Sequence, residues 1–109
     1  MAVSPSYQAF IVEQLAPHLP VRAQAMFGAV GLYTGEVFFA VIADDTLYFR
    51  TDAQTRADYE AAQMPAFAPY RNPNRVLPYH AVPIHILEDE DQLQVWVERA
   101  VAAAERARR

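Results

Sequence analysis

Three histidines, His18, His80 and His85, are the side chains in this chain best suited to acid–base or metal chemistry. Imidazole titrates near neutral pH and ligates metals as the neutral ring. His80 and His85 stand five apart in "HAVPIH". In a regular strand that spacing points them to opposite faces, and Pro83 interrupts the segment. The only further ligands nearby are the carboxylates from Glu88 to Asp91, so the expectation is no metal site. That acidic run lacks the glycine and ligand spacing of a calcium loop. Its place just ahead of an amphipathic stretch fits helix capping and the helix dipole instead.

Nucleophiles are scarce. There is no cysteine, hence no thiolate nucleophile, no thiolate zinc site and no disulfide. Ser4 and Ser6 lie near the N-terminus, outside any Gly-x-Ser-x-Gly elbow. The three glycines, Gly28, Gly31 and Gly35, fall in "GAVGLYTG", which is neither Gly-x-Gly-x-x-Gly nor a P-loop. A strand follows it rather than a helix, so no helix N-terminus faces a phosphate. The residues therefore predict no catalytic group, no cofactor and no enzyme. What remains is "YRNPNR", where Tyr70, Arg71 and Arg75 combine an aromatic ring with two guanidinium groups at a turn. Such a group stacks on and pairs with a nucleotide or an acidic peptide, and it is the candidate partner contact.

The elements that position these residues are legible from periodicity. A helix is expected from about Pro5 to Ala16, capped by Ser4 with proline in its first turn. Tyr7, Phe10, Ile11 and Leu15 form its apolar stripe, and Pro17 and Pro20 close it. Three strands follow, about Ala25–Tyr33, Val37–Ala43 and Thr46–Arg50, broken by "TG" and "DD" as a hairpin meander. Gly28 and Gly31 are expected inside the first strand, as a bulge or a close backbone approach. The central strand, "VFFAVIA", is apolar throughout, so both its faces must be covered, by helices or by another subunit.

A second helix begins with Asp52 or Thr55 as cap, Thr55 and Asp58 having capping-box spacing, and ends near Gln63. Two short strands, about Phe67–Tyr70 and Val76–Val82, flank the "RNPNR" turn, with Pro69 and Pro78 at edges or bulges. The last helix opens at Asp89, with Gln92 three residues on, and buries Leu93, Trp96, Val97, Ala100, Val101 and Ala104. The order α-β-β-β-α-β-β-α predicts one α+β domain over residues 1–109. It is a two-layer sandwich with helices packed on a mainly antiparallel five-stranded sheet.

Composition bounds the function. A chain of 109 residues with 53% apolar and 20% charged residues folds as one globular domain. No apolar run approaches a membrane span and no secretory signal is visible, so a cytoplasmic location without membrane contact is expected. All nine basic residues are arginine, yet the net charge is −4, and direct nucleic-acid binding is not expected.

The segment "MFGAVGLYTGEVFFAVIADDTLYFRTD", with "RADYEAA" and "LEDEDQLQVWVERAVAAA" after it, resembles the TfoX N-terminal domain family, the Sxy-type competence regulator module. The resemblance rests on Met26-Phe27-Gly28, Gly31-Leu32-Tyr33, Gly35, Phe39-Ala40, Asp44, Leu47-Tyr48, Asp52 and Tyr59-Glu60-Ala61-Ala62, in that order. Departures are Ala29 in place of a glycine, Ala23-Gln24-Ala25 where a basic pair is common, and Tyr59 for phenylalanine. The resemblance implies a secretion-chaperone-like shape and a regulatory role in DNA-uptake competence, linked in full-length relatives to the cyclic-AMP receptor protein. It supplies no catalytic residues, and it implies that this chain is the N-terminal module alone, without the helical C-terminal domain of those relatives.

The function expected is a non-enzymatic protein-interaction module, regulatory by resemblance and homodimeric, with a protein partner. The alternative is a small-molecule or metal-binding protein with weak activity, using the Tyr70–Arg75 turn or His80 and His85.

Overall fold

The computed structural model describes residues 2–69 and 74–108. The chain runs α1 (Pro5–Leu15), β1 (Arg22–Met26), β2 (Ala29–Thr34), β3 (Val37–Ala43), β4 (Thr46–Arg50) and α2 (Arg56–Ala61). It continues with β5 (Ala66–Phe67), β6 (Leu77–Ala81), α3 (Ile84–Leu87) and α4 (Glu90–Ala107). The strands form one six-stranded sheet in the order β1-β2-β3-β4-β6-β5, antiparallel at every pairing. The α+β class and antiparallel sheet are as expected, with one strand more.

The extra strand comes from the expected Ala25–Tyr33 strand, which is in fact a hairpin. Phe27 and Gly28 turn the chain between Met26 and Ala29, with φ of 49° and 80°. Two successive positive φ values are the signature of the primed turns that match strand twist. A phenylalanine in that conformation is not a recognisable turn signal, which is why the break hides in the sequence. Gly31 does mark a close approach: a Cβ there would come within 2.5 Å of Met26 Cε and 3.1 Å of Phe38 Cε1. The "DD" turn is formed as expected, with Asp44 and Asp45 at φ 51° and 49°.

The helices begin where their caps place them. Ser4 Oγ accepts from the Tyr7 amide at 3.2 Å, while the Ser4 amide and hydroxyl donate to the Asp45 carboxylate at 2.8 and 2.9 Å. Asp89 accepts from the Gln92 amide at 3.1 Å, and the Gln92 side chain donates back to Asp89 at 2.9 Å. Two details of α2 differ from expectation. It stops at Ala61, short of Gln63, and the Thr55–Asp58 capping box is not formed. Asp52 instead accepts from the amides of Gln54 and Thr55 at 3.0 and 3.2 Å, and Asp58 pairs with Arg99.

β5 and β6 are shorter than expected, and the register between them shifts where Pro78 sits, the bulge that proline requires. The Pro78 carbonyl accepts from the Thr51 amide at 2.9 Å. α3 is a short helix that periodicity does not reveal, because four residues are too few to show a period.

One core cluster joins the helices to one face of the sheet. It holds Ile11 and Leu15 of α1, Tyr59 of α2, Ile86 and Leu87 of α3, and Leu93, Val97, Ala100 and Ala104 of α4. These pack on Val30, Leu32, Phe39, Ile42, Leu47 and Phe49. Each large side chain so buried stabilises the fold by roughly 1.5–3 kcal/mol.

The turn at Phe27 yields a direct test. Replacing a bulky left-handed residue by asparagine relieves about 1 kcal/mol of backbone strain. Phe27→Asn is therefore expected to raise the thermal midpoint by about 4 °C, read by circular dichroism melting. A midpoint that falls would mean Phe27 packs within its own chain.

Candidate interaction surface

Side chains alternate across a strand, so each strand that feeds the core also presents residues to the opposite face. On that opposite face the floor is small: Ala29, Gly31, Val41 and Ala43, all buried. Among the described residues no helix contributes to the cluster built on it, although Ala104 and Ala107 at the end of α4 border Phe38, Arg50 and Tyr79. Phe67, Tyr79, Phe38 and Tyr48 complete that cluster, every one from a strand. Val41 is 4% exposed because neighbouring rings fold over it.

The rings meet in two groups. Tyr33 stacks on Phe38 at 4.9 Å between centroids, Phe38 meets Tyr79 at 5.7 Å, and Tyr48 meets Phe67 at 4.8 Å. Two guanidinium groups lie on this face: Arg22 stands 4.4 Å from the Tyr33 ring centroid and Arg50 5.5 Å from that of Tyr79. Such placements attract through the ring quadrupole and hold the arginine fork flat against the ring. Burial raises the Tyr79 phenol, against a lowering pull from Arg50, and burial with Asp44 raises Tyr48. Both phenols thus stay protonated and able to donate at physiological pH.

At one corner of the sheet Phe27 is 99% exposed. A fully solvated aromatic on a left-handed backbone is an outlier in both exposure and conformation, the combination that clusters at functional surfaces. On the helix side, Phe10 and Ile84 are also exposed and border a hollow of about 330 Å³ floored by Leu47, Met64 and Leu87.

The candidate residues read from the sequence fare differently. Tyr70 and Arg71 lie outside the described residues. Arg75 is exposed, leading through the exposed Val76 into β6. The histidines are not brought together. His18 Nδ1 lies 2.6 Å from Gln94 Oε1, and His85 is exposed on α3. His80 is buried on the helix side, its Nδ1 2.8 Å from Thr51 Oγ1 and its ring 5.6 Å from that of Tyr59. Burial lowers the His80 pKa, with Glu60 opposing that shift and Arg56 adding to it. Among the described residues no three His, Asp or Glu side chains converge to hold a metal ion.

Residues 13–104 match the TfoX N-terminal domain. The chain belongs to the TfoX N-terminal domain family. Over 54 residues it is 44% identical to an "uncharacterized 12.7 kDa protein in trpE 5' region" of Spirochaeta aurantia, covering 49% of this chain. That stretch spans 47% of the relative, about half its length. In this TfoX-type domain the Met26-Phe27-Gly28 motif makes the β1–β2 hairpin and its exposed ring. Gly31-Leu32-Tyr33 supplies both the close approach beside Met26 and the ring beneath Arg22. No helix among the described residues is long and apolar enough to cross a membrane.

The sequence signal of these rings is the alternation in "TLYFR", where Leu47 and Phe49 enter the core and Tyr48 and Arg50 take the other face.

His80 gives a pH prediction. A folded pKa below the ordinary 6.5 means the unfolded chain binds the proton more tightly. The stability is complete above about pH 6.5 and is lost as pH falls through the folded value. Thermal midpoints measured from pH 7.5 down to 5 are expected to fall in that window. His80→Gln flattens that part of the profile.

Proposed function

We propose that this TfoX-type domain is a non-enzymatic protein-interaction module, acting in regulation of the transcription or competence type, self-associating as a homodimer in the cytoplasm. The observation that carries the reading is the second side of the sheet, where the half-exposed Tyr33, Phe38 and Tyr48 stand with Arg22 and Arg50, and among the described residues no helix joins the cluster beneath them. Tyrosine and arginine are among the residue types that concentrate binding energy at protein–protein interfaces: the aromatic ring buries a large area with two torsions and keeps a polar tip, and the planar guanidinium stacks while its fork donates several hydrogen bonds. Family membership supports the regulatory part. A net charge of −4 favours a protein partner over a nucleic acid. Arg75, with Tyr70 and Arg71, is a further contact to a partner.

The test is native mass spectrometry of protein purified gently from its own host, followed by surface variants. A dimer mass, with or without a second protein, is expected. The double variant Arg22→Ala, Tyr33→Ala is expected to weaken partner binding at least about tenfold while the circular dichroism spectrum is kept. A stoichiometric metal or metabolite adduct without any protein partner would overturn the reading in favour of a ligand-binding protein.

A further inference from the structure

The two edges of the sheet are built differently. β5, at one edge, is two residues long and flanked by Pro65 and Pro69, and Pro78 sits in the strand next to it. Short length and proline are the devices by which an edge is closed to further pairing. β1, at the other edge, is "RAQAM": five residues, no proline, one charge, exposed from Arg22 through Ala25. It carries none of the protective devices except that single arginine, and Arg22 folds inward over Tyr33.

The register decides which β1 backbone groups are open. Met26 and Ala29 flank a two-residue turn, so they exchange hydrogen bonds, and alternation makes Gln24 and Arg22 do the same with β2. Ala23 and Ala25 therefore direct N–H and C=O away from the sheet. Their methyl side chains, exposed on the helix side, leave room for another backbone. Gln24 stands on the aromatic face, opposite Gly31 and between Arg22 and Met26.

We infer that β1 pairs antiparallel with β1 of a second copy of this chain, about a two-fold axis at Gln24, joining two sheets into one. This deepens the self-association proposed above and rests on it. A two-fold axis at Gln24 sets Ala23 against the partner's Ala25, and Ala25 against the partner's Ala23. All four outward N–H groups then find carbonyls. Gln24 meets the partner's Gln24 as a non-hydrogen-bonded pair, where side chains approach closest and two amides can bond each other. Met26 reaches the partner's Arg22, whose guanidinium covers Tyr33, so the aromatic arrays of the two chains become continuous. The strand is self-complementary in a way a sequence with a lysine or proline at position 23, 24 or 25 would not be, and this favours a second copy over an unrelated strand.

Gln24 supplies the test, because its side chain is exposed and its replacement leaves the β1–β2 ladder intact. The chain has no cysteine, and a non-hydrogen-bonded antiparallel pair has Cα atoms about 4.5 Å apart, within disulfide reach. Gln24→Cys is expected to form a disulfide-linked dimer under mild oxidation, whereas Ala53→Cys, exposed far along the chain in the loop before α2, stays monomeric on a non-reducing gel. Gln24→Arg is expected to weaken the dimer at least about tenfold by like-charge opposition. Mixing Gln24→Arg with Gln24→Glu is expected to restore it as a heterodimer, read by native mass spectrometry. A wild-type dimer unaffected by these changes, with no Gln24→Cys crosslink, would overturn the β1 pairing and leave self-association standing. A wild-type chain that stays monomeric at millimolar concentration would overturn both.

Discussion

The constraint on which the structure depends is the burial of β3 on both sides. Seven consecutive apolar residues, Val37–Ala43, cannot meet water on either face of a strand without losing hydrophobic stabilisation along half their length. One face solves this with thickness. Residues of α1, α2, α3 and α4 close over Phe39, Ala40 and Ile42. The other solves it with a layer one side chain deep, in which Val41 and Ala43 are kept small and the rings of Phe38, Tyr48 and Tyr79 lie across them. That second solution buries the floor together with Tyr79 and leaves Phe38 and Tyr48 half-exposed. The aromatic surface is thus a by-product of the same requirement that builds the core.

The helix layer is located on the sheet by polar ties around its perimeter. Ser4 binds Asp45 at the β3–β4 turn, and His18 binds Gln94 between the end of α1 and α4. Arg106 near the end of α4 reaches Asp52 at 2.7 Å and holds that carboxyl below the usual carboxylate range. Ion pairs this exposed contribute little each, so their role is to set orientation more than to hold the fold. Inside, Trp96 meets Tyr59 edge-on at 4.7 Å, which seats α2 against α4. Stability resides in the apolar cluster and the direction of the helices in these ties.

Much of this was legible from the residues. Ser4, Asp89 and Gln92 declared both long helices because a cap is a local event that needs no tertiary knowledge. The "DD" turn and the all-apolar β3 were equally local. What escaped was decided by context. Phe27 reads as one more strand aromatic, and only the paired register of Met26 with Ala29 exposes it as a turn residue. Thr55 and Asp58 have capping-box spacing, yet Arg99 draws Asp58 away from the helix start. The separation of His80 from His85, expected from their spacing across Pro83, places one in the core at β6 and the other exposed on α3, a helix too short to be read in advance. The aromatic surface was visible only as alternation within short strands, and its unity depends on strand order, which a single strand does not carry. Of the Tyr70, Arg71 and Arg75 turn, Arg75 alone falls among the described residues.

The proposal that a second chain completes this sheet is supported by one closed edge and one open edge. Small-angle X-ray scattering across a concentration series tests it most directly, because it reads mass and shape together. One chain has a Cα radius of gyration of 12.7 Å and a mass of 12.3 kDa. Joining through β1 predicts a particle of twice that mass, elongated along the sheet, with a radius of gyration well above the single-chain value. A radius and mass that remain those of one chain at every concentration would rule out pairing through β1.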